Sequence, residues 1–194
     1  MSSFNLYLQL GISHITDIQG YDHILFLVTL CALYQFNQWK KVLVLITAFT
    51  IGHCATLLLS VFNLLIISSS IIEFLIPLTI LLTAYINLIK DNKSISPTLQ
   101  RLKYFTALFF GLIHGLGFSY YLKALLGTKT NIIKPLFAFN LGIELGQIII
   151  VLSFFIISSI IIRVLKLKMR LWTIIISSIS LIISFILLII RFPV

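Results

Sequence analysis

Residues 134–162 read KPLFAFNLGIELGQIIIVLSFFIISSIII. A helix needs about 20 apolar residues to cross roughly 30 Å of hydrocarbon, and this run exceeds that length. Lipid offers a bare backbone no hydrogen bonds, so the run must cross as a helix whose amides pair internally. One carboxylate, Glu144, lies inside it, with Asn140 four residues before and Gln147 three after. That spacing puts the three on one helix face, while Gly142 and Gly146 form a small-xxx-small pair that permits close helix approach.

Outward from this run, further apolar stretches occupy about 21–37, 42–62, 72–89, 104–125 and 171–190. The chain of 194 residues is 60% hydrophobic and 10% charged, with a mean hydropathy of +1.15. Too little polar sequence remains to solvate a globular surface. The expectation is an all-α polytopic membrane protein: one integral domain over 1–194, built as a bundle of six transmembrane helices. Residues 1–20 lack Lys and Arg and show no small-residue cleavage site, so they do not read as a cleaved leader. Phe4, Leu6, Leu8, Leu10 and Ile12 alternate with polar or small residues, so strand periodicity competes with a short helix. An interfacial segment at the membrane surface is expected there.

Basic residues set the orientation. With the N-terminus outside, one side collects Lys40, Lys41, Lys90, Lys93, Arg101, Lys103, Arg163, Lys166, Lys168 and Arg170, and the other keeps Lys123, Lys129, Lys134 and Arg191. Both termini are expected on the exterior face of a bacterial inner (cytoplasmic) membrane. The net charge of +9 is then mostly a topology signal, so the partners expected are membrane lipid and a metal ion, with no nucleic acid. No nucleotide-binding loop of the Walker type is present, and a homo-oligomer stays open.

All four histidines, His14, His23, His53 and His114, lie in or beside apolar stretches, as do Asp22 and Glu144. An ionisable group at bilayer depth is costly unless paired, solvated or liganded, and imidazole with carboxylate is a metal-ligand vocabulary. Counting about 1.5 Å per helical residue, His53, His114 and Glu144 reach overlapping depths and are candidate central ligands. Asp22 and His23 form a candidate outer mouth. Thr50, His53, Thr56 and Ser60 share one helix face, with Cys54 beside it. Thr50, Cys54, Asn140 and Gln147 are candidates for orienting the ligands or holding water. Gly111, Gly115 and Gly117 surround His114, and with Gly142 and Gly146 they are candidates for tight helix packing. A lone membrane histidine can simply bond a backbone carbonyl, and Ser or Thr commonly bonds its own helix. Ionisable groups on four spans at one depth point instead to a shared site.

Four stretches in order carry a resemblance: Gly20-Tyr21-Asp22-His23-Ile24-Leu25-Phe26-Leu27, Phe49-Thr50-Ile51-Gly52-His53, Phe110-Gly111-Leu112-Ile113-His114-Gly115-Leu116-Gly117-Phe118, and Phe139-Asn140-Leu141-Gly142-Ile143-Glu144-Leu145-Gly146-Gln147. Over roughly residues 11–160 the chain resembles the HupE/UreJ family of small bacterial membrane proteins. The resemblance implies nickel or cobalt uptake serving hydrogenases and ureases. The nickel-permease branch typically has five residues between a histidine and its Asp-His pair. Here seven residues separate His14 from Asp22-His23, so His14 is a further candidate ligand. That branch also carries Phe-His-Gly-x-Ala-His-Gly. Aligning its second histidine with His114 puts Phe110 at the first and Gly117 where a glutamate often stands.

By ligand type alone, nickel, cobalt, zinc and iron(II) all fit. The reading is a divalent transition-metal binder that moves its ion across the membrane. Two other classes remain open: an intramembrane zinc hydrolase acting on a lipid or peptide, without an HExxH signature, or a structural accessory subunit.

Overall fold

The N-terminal alternation resolves as helix. In the computed structural model, which describes residues 3–65, 67–89, 96–126 and 132–193, the first element is α1 (Ser3–Thr16). It is followed by α2 (Tyr21–Cys31), a 3-10 turn (Phe36–Gln38), α3 (Trp39–Val61), α4 (Ser69–Ile89), α5 (Pro97–Leu126), α6 (Ile133–Val164) and α7 (Met169–Ile190). Among the described residues there is no strand. Lys90, Lys93 and Lys129 of the charge pattern lie outside the described residues.

Five helices are long and apolar enough to cross a membrane. They match the expected spans from 42–62 onward, with α5 beginning at Pro97 rather than near 104. The expected first span over 21–37 is different. Its helix has 11 residues, about 16 Å at 1.5 Å per residue, half of a bilayer core. Residues 32–35 leave the helix and the 3-10 turn leads straight into α3.

The most extensive contacts join α3 to α5, α1 to α6 and α4 to α7. The first two pairings share a device. A Cβ on Gly52 would meet the Leu108 carbonyl, and one on Gly111 would meet the Phe49 carbonyl, so α3 and α5 touch backbone to backbone. In the same way Gly11 lies against the Phe139 carbonyl and Gly142 against that of Leu8. Without lipid-excluding hydrophobic force, close van der Waals packing is what holds membrane helices together, and glycine lets the backbones approach. Gly115 packs on the His53 backbone and Gly146 on the Ile15 side chain, whereas Gly117 meets only the Ile76 and Ile72 side chains. Leu8 faces Gly142 and Ile15 faces Gly146, so α1 runs parallel to the first half of α6.

Helix α1 therefore packs along α6 as part of the bundle. Tyr7, Gly11 and Ile15 are buried on one face of α1, the four-residue spacing of a helix stripe. The outward faces of α6 and α7, with Ile149, Ile156, Ile160, Ile182 and Ile189 exposed, suit a lipid surround.

Candidate metal centre

Helix α1 brings His14 inward, α2 brings Asp22 and His23, α3 brings His53, and α5 brings His114. One ring nitrogen each from His14, His23 and His53 forms a group whose members all lie within 4.8 Å of one another. Ring centroids are 4.9 Å apart for His14 and His23, and 6.0 Å for His14 and His53. His53 is fully buried and His23 nearly so. Close approach of α3 to α5 at Gly115, beside the His53 backbone, and of α1 to α6 at Gly142 and Gly146 draws these elements together.

Buried polar atoms ordinarily find partners. Here His14 Nε2, both ring nitrogens of His53, His23 Nε2 and His114 Nδ1 have none. Asp22 Oδ1 stands 3.1 Å from His23 Nδ1, bent away from hydrogen-bond alignment, and accepts the His23 backbone N–H at 2.9 Å. A carboxylate in that place favours a proton on Nδ1 and leaves Nε2 as a lone pair for an ion. Neutral imidazole with a free lone pair is the form a transition metal takes. Clustered, unpartnered imidazoles of this kind fit a borderline divalent ion.

His114 stands beside the group. Its ring centroid is 5.2 Å from that of His23, and from those of Phe26 and Phe49. Its Nε2 lies 3.2 Å from Thr79 Oγ1, whose own hydroxyl donates to the Ile76 carbonyl at 2.7 Å. With that proton committed, Thr79 accepts, His114 carries its hydrogen on Nε2, and Nδ1 keeps a lone pair.

The structure does not gather Glu144 with the histidines. Its Oε1 accepts the Thr47 hydroxyl at 2.7 Å, and Thr47 precedes His53 by about 9 Å along α3 at 1.5 Å per residue. Thr50 Oγ1 lies 2.9 Å from Gln147 Oε1 and 3.1 Å from the Ile46 carbonyl, so it ties α3 to α6. Asn140 Nδ2 donates to the Leu136 carbonyl of its own helix. Cys54 is a half-buried free thiol outside the imidazole group.

Several residues around the site were not among the candidates for it read from the sequence. Phe118 covers His14 with ring centroids 3.9 Å apart and stacks on Phe139 at 5.0 Å. Arg191 Nη1 donates to Asp22 Oδ2 at 3.3 Å. A surface concavity of about 540 Å³, lined by Ser13, His14, Thr16, Asp17, Phe118 and Tyr121, opens onto the His14 side. Asp17 did offer a signal, as a carboxylate three residues from a membrane histidine.

Apolar spans around a nest of buried imidazoles define a polytopic membrane protein with a candidate transition-metal centre. The chain belongs to the HupE/UreJ family: the profile described as HupE / UreJ protein matches residues 1–191. That membership agrees with the five long apolar helices in making it a membrane protein. Neither a curated protein nor a solved structure matches the chain.

Proposed function

We propose that this protein binds a divalent transition metal through His14, His23 and His53, and passes it across the bacterial inner membrane. The observation that carries the reading is the group of three imidazoles within 4.8 Å, lined with buried ring nitrogens that have no protein partner. Asp22 orients His23 and supplies the negative charge nearest the group. His114 is an additional candidate ligand, one ring away from His23. The concavity on the His14 side, with the Asp17 carboxylate at its rim, would admit a hydrated cation. Transport requires release as well as binding, and a site with few protein ligands is compatible with both.

Charge bias supports both termini on the exterior, which places the concavity on the uptake side. Nickel and cobalt stand first as cargo through the family, with zinc and iron(II) compatible by ligand type.

The test is metal titration of purified protein, followed by flux into proteoliposomes loaded with a metal-sensitive dye. Wild-type protein is expected to bind one ion and admit nickel or cobalt, and His14→Ala, His23→Ala or His53→Ala to lose both. Binding without flux, with tightly held zinc, would replace transport by the hydrolase reading. No binding by folded protein would remove the metal site altogether.

A further inference from the structure

A second site lies at the opposite end of the bundle from Asp22 and Arg191. Where the 3-10 turn meets the end of α6, a concavity of about 520 Å³ is lined by Gln35, Phe36, Asn37, Ser158 and Arg163, among others. A second, of about 310 Å³, is lined by Ile156, Ile160 and Val164. The two share Phe36, Phe155, Ser159 and Arg163, so they form one continuous depression. The larger half adds the polar side chains Gln35, Asn37 and Ser158, and Arg163 borders both halves. The smaller opens along a face of α6 on which Ile156, Ile160 and Val164 are exposed.

Ser158 is the second observation at this depression: its hydroxyl, like that of Ser177, has no partner, and Ser158 lines the concavity whereas Ser177 is fully enclosed. Serines in apolar helices normally donate to their own backbone, as Ser180 does to the Ile176 carbonyl. The Ser158 hydroxyl has no partner, although the residue is 6% exposed. It lines the larger half beside Arg163.

Charge identifies the ligand. Lys40 and Lys41 open α3 at this end, and Lys166 and Lys168 lie between α6 and α7. The described acids Asp17, Asp22 and Glu73 belong to the other end, and Glu144 sits mid-helix. Basic pockets between helices at a membrane face hold anionic headgroups, and guanidinium matches the geometry of phosphate.

We propose that this depression binds an anionic glycerophospholipid. Its phosphate would lie on Arg163, with Ser158, Asn37 and Gln35 offering hydrogen bonds. One acyl chain would follow Ile156, Ile160 and Val164. The proposal is independent of the metal reading.

The test is native mass spectrometry of the full chain, released from detergent after incubation with phosphatidylglycerol, with phosphatidylcholine of matched chains, or with glycerol phosphate alone. Phosphatidylglycerol is expected to stay bound and the other two to leave. Arg163→Gln should cut its occupancy about fivefold, Arg163→Lys less, and Ser158→Ala measurably, all with unchanged metal binding at the histidines. Equal retention of both lipids, or unchanged occupancy in Arg163→Gln, would reduce the site to ordinary lipid surround. Should Arg163→Gln not fold, the folded Ser158→Ala protein decides: undiminished phosphatidylglycerol overturns the proposal. Tight glycerol phosphate binding would make it a site for free phosphate esters, and the lipid assignment would fall.

Discussion

Arg191, just past the end of α7, donates from Nη1 to Asp22 Oδ2 across 3.3 Å, joining residues 169 positions apart in the chain. The other carboxylate oxygen of Asp22 faces His23. One carboxylate is thus shared between a fixed cation and the imidazole group. A divalent ion bound at the proposed site would compete with Arg191 for it. Replacing Arg191 by Gln is therefore expected to tighten metal binding, by about tenfold, or ~1.4 kcal/mol. Arg191→Lys should stay near wild type. Isothermal titration reads the difference, and weaker binding in Arg191→Gln would show that the guanidinium only positions Asp22.

If His14, His23 and His53 hold one ion, the loss of any one disables the unit. Double mutants should then bind no worse than the singles, because members of one unit are not additive. Glu144→Gln is the matching control, since its carboxylate is engaged by Thr47. It should keep its metal, measured by elemental analysis after purification. Loss of metal in Glu144→Gln with retention in His14→Ala would move the site toward α6.

Protons compete with metals for imidazole lone pairs. Lowering the pH converts ligands to cations that cannot bind, so affinity should fall as pH drops below about 6.5, the ordinary histidine value. Metal uptake near that pH should also release protons into weakly buffered solution. Affinity undiminished by acidification all the way to the loss of the fold would argue against histidine ligation.

Gly11 and Gly142 let α1 and α6 touch through their backbones. A valine at either position must push the helices apart, and overpacking of this kind typically costs about 1–3 kcal/mol. Gly11→Val is expected to undock α1, expose to labelling a cysteine placed at Ile15, which is fully buried in the docked helix, and weaken metal binding by withdrawing His14. Gly20→Ala is the control, because a Cβ there meets nothing closer than 3.8 Å. Equal labelling in both variants would separate α1 docking from the site.

Orientation can be read with an impermeant thiol reagent on intact cells. Cysteines placed at Ser2 and Pro193 should react, and one at Ser96 should not. The reverse pattern would place the His14 concavity on the cytoplasmic side and reverse the direction of loading.

The amino-acid sequence by itself determined that this is a helical membrane protein, because an apolar run longer than a bilayer is thick leaves the backbone no other choice. Of the six spans it drew, five match long helices to within several residues, since charges and turn formers crowd the intervening segments, while the one over 21–37 holds an 11-residue helix. It also singled out the histidines, whose cost in an apolar stretch is visible without coordinates. The glycines were legible as close-packing positions at 111, 115, 142 and 146. Their partners Gly11 and Gly52 were not, because one glycine has no spacing to read.

Tertiary structure alone decided which ionisable groups meet. Asn140, Glu144 and Gln147 share a face of α6, yet a helix face fixes only an angle, and rotation and crossing against α3 sent Glu144 to Thr47. His14 lies in a segment where strand periodicity competed with a short helix, and packing against α6 settled it as helix. The pairing of Asp22 with Arg191 joins the two ends of the chain. No local preference encodes such a contact; it arises from how α2 and α7 stack in the bundle.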